Sequence, residues 1–437
     1  MSKTREQVLA EVTGISPNDC VQRDPQVWAM LERRPDSYDK TTGALMKEGK
    51  PHPTRANAIA VLRFDPRYAD RFNYNEFTGR PEIEGAPLED KDDVRIGLEI
   101  ELAYGLQVQP KTVGELLNLL AHERAYHPVR IYLGDLVWDG VERLDGWLAH
   151  YLGVPPSPLV SAMGQRWPVS AVARIFEPGC QVDTVLILIG PQGVRKSSAF
   201  RTLASPAWFS DSMLDTGHKD AYQNLPGVWL YEFAELDSMQ RREATSIKAF
   251  LTAQVDRFRP SHGRRTISQP RQVLFVGTTN ESAFLNDSTG HRRFWPVVVG
   301  QIRLTALAQV RDQLWAEAVD RYQRHKVAKK DSPVYLATQW WLTDSEEARR
   351  HEVAERHAQA DPWEELILRF IDGRKEVTIT QVLEEGIKID ADKRHNGHTK
   401  RVGGILSAAG WEKGDRRREP GAGRVRPWHP AQVAQEK

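Results

Sequence analysis

Cysteine, long apolar runs and net charge are all scarce in this chain, and each shortage excludes something. Two cysteines, Cys20 and Cys180, stand far apart among 437 residues. They supply neither a disulfide framework nor a zinc-ligand set. The apolar run "VLILI" near the middle is five residues long, far short of the roughly 20 that a bilayer-spanning helix needs. The N-terminus, "MSKTREQVLAEVTG", lacks an apolar signal core. A cytoplasmic location with no membrane partner is the expectation. The formal net charge is +1, so there is no global pull toward nucleic acid. Any DNA contact has to come from local basic clusters.

What remains is the composition of a globular protein, 40% hydrophobic and 27% charged, long enough for two or three domains. Residues 1–55 are polar and weakly periodic and read as loosely ordered, with room for one short helix. Residues 56–155 read as a mainly helical domain, with patterns such as "TVGELLNLLAHERAY". Thr112 is the expected N-cap there, with Glu115 completing a capping box. "LVSAMGQRWPVSAVARIF" reads as an amphipathic helix interrupted at Pro168. From 156 to 340 apolar strands alternate with helices, the pattern of an open α/β sheet. "TVLILIG", "GVWLYEFAEL", "RQVLFVGTTN" and "HRRFWPVVVG" are the four strand candidates. Residues 341–437 carry a charged helix and then a small basic region.

The stretch "GPQGVRKSS" follows the first strand and opens a helix. That is the context of a phosphate-binding loop, in which backbone N–H groups and a helix N-terminus face an anion. Gly190, Gln192, Gly193, Val194 and Arg195 form the turn, and Lys196, Ser197 and Ser198 start the helix. Lys196 would reach the β- and γ-phosphates of ATP, and Ser197 would offer its hydroxyl to Mg²⁺. The bland alternative is a strand-to-helix turn with a surface lysine. Arg195 stands where the pattern has Gly. Next to a helix start an ordinary right-handed backbone is expected, which would let Arg195 point outward or add charge near the phosphates.

An ATPase also needs a carboxylate at a neighbouring strand end. Glu232 and Glu235 qualify. Glu232 directly follows the apolar run and is the first choice for Mg²⁺, with Glu235 as general base; the reverse assignment stays open. Asn280, at the tip of the third strand, is placed to position a lytic water. Arg292 and Arg293 precede the fourth strand, and either suits delivery to a neighbouring subunit's phosphate. Arg257, Arg259, Arg264 and Arg265 crowd a turn-rich basic stretch that suits a nucleic-acid backbone.

In this order, "YHPVRIYL", "WDGVERLD", "VLILIGPQG", "WLYEFAELD", "FVGTTN" and "FLNDSTGHRRFWPV" resemble the virulence-associated protein E family. These are P-loop proteins of phages and mobile elements, similar to superfamily 3 helicases of the AAA+ class. The resemblance runs from about residue 90 to 300 and more weakly beyond. It implies an AAA+ P-loop core and an ATP-driven ring, a hexamer, translocating on single-stranded DNA in a central channel. It implies the loop, acid, sensor and arginine-finger roles for the residues just named, and it places the basic stretch as a channel hairpin. Some relatives carry a primase module; the residues ahead of 56 are too few for one, and primase activity is not expected.

At the C-terminus, helix, helix and basic β-hairpin in succession suggest a winged helix. Lys400, Arg401, Arg416, Arg417 and Arg418 are its candidate contacts to duplex DNA. The leading reading is therefore an ATP-dependent DNA helicase or translocase. A non-catalytic DNA-binding or origin-recognition scaffold is one alternative. A nucleotide switch acting on a partner, such as a replication protein, is another.

Overall fold

The structure is a computed structural model. It describes residues 22–38, 42, 44–47, 49–214, 219–234, 249–259, 266–280, 293–357, 363–389, 396–415, 417–419 and 423–430. The helix Pro25–Met30 starts with proline, whose missing N–H costs nothing at that position. The Asp24 side chain accepts from the N–H groups of Gln26 and Val27. Strands β1 (Ser37–Tyr38) and β2 (Leu45–Lys47) pair antiparallel. Val27 and Leu31 are buried in the same cluster as residues of the helices Arg55–Phe64, Asp90–Tyr104 and Pro110–His122.

Four short strands join these helices: β3 (Phe72–Asn75), β4 (Arg80–Ile83), β5 (Ala86–Pro87) and β6 (Ala125–Tyr126). They form a sheet in the order β5-β4-β3-β6. Strands of two to four residues are too short to show a period of two, so helical patterning masked them. The helix Pro110–His122 also starts earlier than expected, with Gln109 rather than Thr112 at its N-cap. Pro110 presets the helical φ of the first turn and moves the boundary.

The centre is a five-stranded sheet of β7 (Val185–Ile189), β8 (Phe209–Ser210), β9 (Leu230–Phe233), β12 (Leu274–Thr279) and β13 (Phe294–Val298). Its order is β13-β7-β12-β9-β8, and every pairing is parallel. Both faces are covered, as parallel sheets require. Leu186 and Leu188 enter a core with the helices Pro158–Phe176, Lys196–Ala204 and Leu304–Val327. Val185, Ile187 and Ile189 face a second core with Phe250 and Phe275. Pro296 is tolerated because β13 is an edge strand.

The strands β10 (Val255–Phe258) and β11 (Ile267–Pro270) pair antiparallel as a hairpin over the basic stretch. Its base is held by a buried ion pair, with Arg271 Nε donating to Asp256 Oδ2 at 3.0 Å.

Pro168 does not interrupt its helix, which runs from Pro158 to Phe176. A mid-helix proline leaves the carbonyl four residues earlier without its N–H partner. That carbonyl belongs to Gly164, and the buried Trp147 Nε1 donates to it at 2.9 Å. Gly164 is the residue type that allows this approach, since a Cβ there would lie 2.8 Å from the Leu144 carbonyl oxygen.

The C-terminal unit has the helix Glu364–Ile371, β14 (Val377–Thr378), a helical turn from Ile379 into a π segment ending at Gly386, and the helix Asn396–Ala408. Strands β15 (Trp411–Lys413), β16 (Arg417–Glu419), β17 (Gly423–Val425) and β18 (Pro427–Pro430) follow. β14-β18-β15 form an antiparallel sheet, and β16 and β17 a separate hairpin. Thr378 caps its helix through a capping box with Gln381.

Replacing Trp147 by Phe keeps most of the ring and removes the donor. We expect a loss of about 1–3 kcal/mol, the cost of one stranded buried carbonyl, measured by denaturant unfolding. In a Pro168→Ala background a backbone N–H can take over that carbonyl, so the loss shrinks. Equal losses in both backgrounds would refute the pairing.

Candidate functional site

The three central strands end side by side. β7 leads into the 190–195 turn, β12 ends just before Asn280, and β9 carries Glu232 on the far side of β12. The turn is tied to its neighbour by the Gly190 N–H, which donates to the Thr279 carbonyl at 3.2 Å. Gly193 has φ +85°, where only glycine is at ease.

Arg195 corrects an expectation. It is not right-handed but left-handed, with φ 70° and ψ 33°, as the N-cap of the helix Lys196–Ala204. The chain has to reverse there to bring the helix in behind the turn. For a residue with a Cβ this conformation costs roughly 1–2 kcal/mol, which glycine avoids. The Arg195 side chain is exposed.

Lys196 is buried, 8% exposed. Its Nζ donates to the carbonyls of Gly190 (2.6 Å) and Pro191 (3.0 Å) and to Asn280 Oδ1 (2.9 Å). Ser197 Oγ donates to Glu232 Oε1 at 2.7 Å. Thr278 Oγ1 donates to the same oxygen. Glu232 is 1% exposed, and its Oε2 is buried with no hydrogen-bond partner among the described residues. Burial raises its pKa; the hydrogen bonds from Thr278 and Ser197 oppose the rise, Asp211 adds to it, and Arg201 opposes it. An orphaned carboxylate oxygen beside a serine hydroxyl fits a hard cation, which takes oxygen ligands. Among the described residues no cluster of three or more His, Cys, Asp or Glu could hold a metal by itself. Mg²⁺ here would draw on Ser197, Glu232 and ligands from outside the protein.

The structure thus brings Lys196, Ser197, Glu232 and Asn280 together and adds Thr278, which sequence reasoning missed. The "TT" before Asn280 was its only trace. Val194 packs against the core, while Gln192 and Ser198 are exposed. Arg293 lies at the opposite end of the sheet, since Phe294 pairs with Val185 at the start of β7. Its guanidinium faces Asp183 (3.7 Å) and donates to Thr252 Oγ1 (3.1 Å). Arg257 and Arg259 are exposed on the hairpin, on the face opposite Asp256 and Phe258.

In the C-terminal unit Arg401 lies over the Trp363 ring, 4.1 Å from its centroid. Arg417 forms a two-point ion pair with Glu376. Lys400 and Arg418 fall on the helix Asn396–Ala408 and on β16, but their side chains are outside the described set. Glu235, Arg264, Arg265, Arg292 and Arg416 lie outside the described residues.

Comparison with known proteins bears out the family resemblance. The virulence-associated protein E-like domain matches residues 133–359, more than half of the chain, and the chain belongs to that family. No curated protein matches it. Among solved structures, an apo form of the NrS-1 C-terminal region aligns over 82% of this chain and 95% of that one, at 10% identity and TM-score 0.38. The A form of the same region aligns over 64% of this chain and 66% of that one, at 10% identity and TM-score 0.35. Likeness this slight carries no argument. Among the described residues no helix is long and apolar enough to cross a membrane.

The raised Glu232 pKa has a pH signature. The folded chain holds this proton more tightly than the unfolded chain does. The resulting stability is present below the ordinary carboxyl pKa and is lost as pH rises through the folded value. Glu232→Gln should therefore raise the unfolding midpoint, without metal, more at pH 8 than at pH 5. An increment independent of pH would show that Glu232 is not the titrating group.

Proposed function

We propose that the chain is an ATP-driven DNA translocase of a phage or mobile-element replication system, acting as a ring with nucleotide sites between subunits. The observation that carries this reading is the convergence of Lys196, Ser197, Asn280 and a Glu232 oxygen with no partner among the described residues, beside a strand-to-helix turn. The sheet order supports an AAA+ core. Numbered along the chain, its strands lie 5-1-4-3-2, with the sensor strand between the loop strand and the acid strand.

In this reading Lys196 leaves the turn carbonyls and Asn280 for the β- and γ-phosphates. Ser197 and Glu232 hold Mg²⁺, which neutralises charge on the phosphate oxygens. Glu235 serves as general base, or exchanges roles with Glu232. Asn280, released by Lys196, positions the attacking water. Arg293 is engaged with Asp183 and Thr252 of its own chain, so Arg292 is the better arginine finger across the subunit boundary. The β10–β11 hairpin would present Arg257, Arg259, Arg264 and Arg265 to single-stranded DNA in the channel of a hexamer. The C-terminal unit, a winged helix in this reading, would hold duplex. There Arg401 and Arg417 would have to leave Trp363 and Glu376 to meet phosphates.

One observation favours the second reading, a DNA-binding scaffold with a degenerate nucleotide site. The position that glycine normally fills does need a left-handed backbone, and Arg195 occupies it. A switch acting on a partner protein would instead show hydrolysis indifferent to DNA.

The test is ATP turnover by the purified chain with Mg²⁺, with and without DNA. DNA should stimulate turnover, and Lys196→Ala should lower it by about 10²-fold or more, as losing a phosphate-stabilising group does. No turnover in the unaltered chain would sink the translocase reading. Arg195→Gly should raise the unfolding free energy by about 1 kcal/mol through relief of the left-handed Cβ, and should raise turnover. Unchanged turnover would mean that Arg195 does not damp the site.

A further inference from the structure

A cleft of about 910 Å³ lies between the N-terminal sheet and the inner side of the β10–β11 hairpin. Its walls come from three places: β3 and β4 on one side, the 223–227 segment beneath, and Phe258 with residues 267–272 opposite. The two sides are fastened to each other. The Gly227 N–H donates to the Phe77 carbonyl at 2.8 Å. Gly227 has φ +82°, and a Cβ on it would meet Thr78 Cγ2 at 3.1 Å. His127 Nε2 is hydrogen-bonded to Gln272 Oε1 at 2.5 Å. The cleft is therefore built into the fold.

Its chemistry is selective. Of the lining residues one is a carboxylate, Glu76, and it is paired with Arg130 at 3.3 Å. Burial pushes the His127 pKa down, so that ring adds no charge near neutral pH. Arg80 is exposed and leaves the cleft with net positive charge. Tyr74 brings an aromatic ring, held on His122 with 3.8 Å between centroids. Asn224 and Gln269 bring amides. A cation for phosphate, ring surfaces for bases and amides for base edges are the groups that grip a single strand. At this size the cleft admits a few unstacked nucleotides but not a duplex.

We propose that this cleft holds a segment of single-stranded DNA, on the side of the hairpin away from Arg257 and Arg259. The proposal rests on the DNA-translocase reading above and adds to it a contact surface on the N-terminal unit.

The experiment is photo-crosslinking of the full-length chain to a 4-thiothymidine oligonucleotide, with crosslinked peptides mapped by mass spectrometry. It is paired with anisotropy titrations of Arg80→Glu and Asn224→Ala, both exposed positions. Crosslinks are expected in 72–87 and in 223–227. Arg80→Glu should weaken single-strand binding about five- to tenfold at low salt, while DNA-independent ATP turnover stays unchanged. Binding with crosslinks confined to the hairpin tip and the C-terminal unit would overturn this proposal alone. So would equal affinity of the Arg80→Glu and unaltered chains. A chain that binds no oligonucleotide overturns it together with the DNA reading.

Discussion

Burying the Glu232 carboxylate beside the 190–195 turn is the constraint around which the site is arranged. A carboxylate this far from water is stable only if its oxygens find donors, a cation or a proton. One oxygen finds two hydroxyls, from Ser197 on the helix after the turn and from Thr278 on the strand between. That arrangement requires β12 to lie between β7 and β9 and all three strands to run the same way. It also fixes where the helix Lys196–Ala204 begins. The other oxygen has no hydrogen-bond partner among the described residues, which leaves it open to a positive or hydrogen-bonding group.

Lys196 solves the opposite problem. Its ammonium is satisfied within the chain by two carbonyls and an asparagine. An anion entering the turn would compete with these three acceptors, and its apparent affinity would be the intrinsic affinity multiplied by the fraction of molecules in which Lys196 is already released. Because one acceptor is Asn280, release at the turn is felt at the end of β12.

The four central strands could be read from the chain because a strand buried on both faces is a continuous apolar run. Lys196, Ser197, Glu232 and Asn280 could be read because each stands at the end of such a run or at the start of a helix. Thr278 could not: its role depends on β12 lying next to β9, which no local pattern records. Nor could the strands β3 to β6, which are too short to outweigh the helices around them. Arg195 was legible as a departure from a pattern, but the sign of its φ was not, because that depends on how sharply the chain turns. The endurance of the helix through Pro168 was equally hidden, since its compensation comes from another helix.

That compensation joins two elements that would otherwise open separately. The carbonyl of Gly164 is dry only while Trp147 is in place, and Trp147 lies in the short helix Trp147–Leu152. The same short helix receives the chain after β13, where the Gly300 N–H donates to the Leu152 carbonyl and Arg303 N–H to that of Tyr151. Loosening this short helix would therefore strand a carbonyl in the middle of the helix Pro158–Phe176 behind the sheet and, at the same time, free the chain after its edge strand. In hydrogen exchange we expect these parts to open as one unit, with the amides around 150–154 and those around 164–172 sharing a single protection factor.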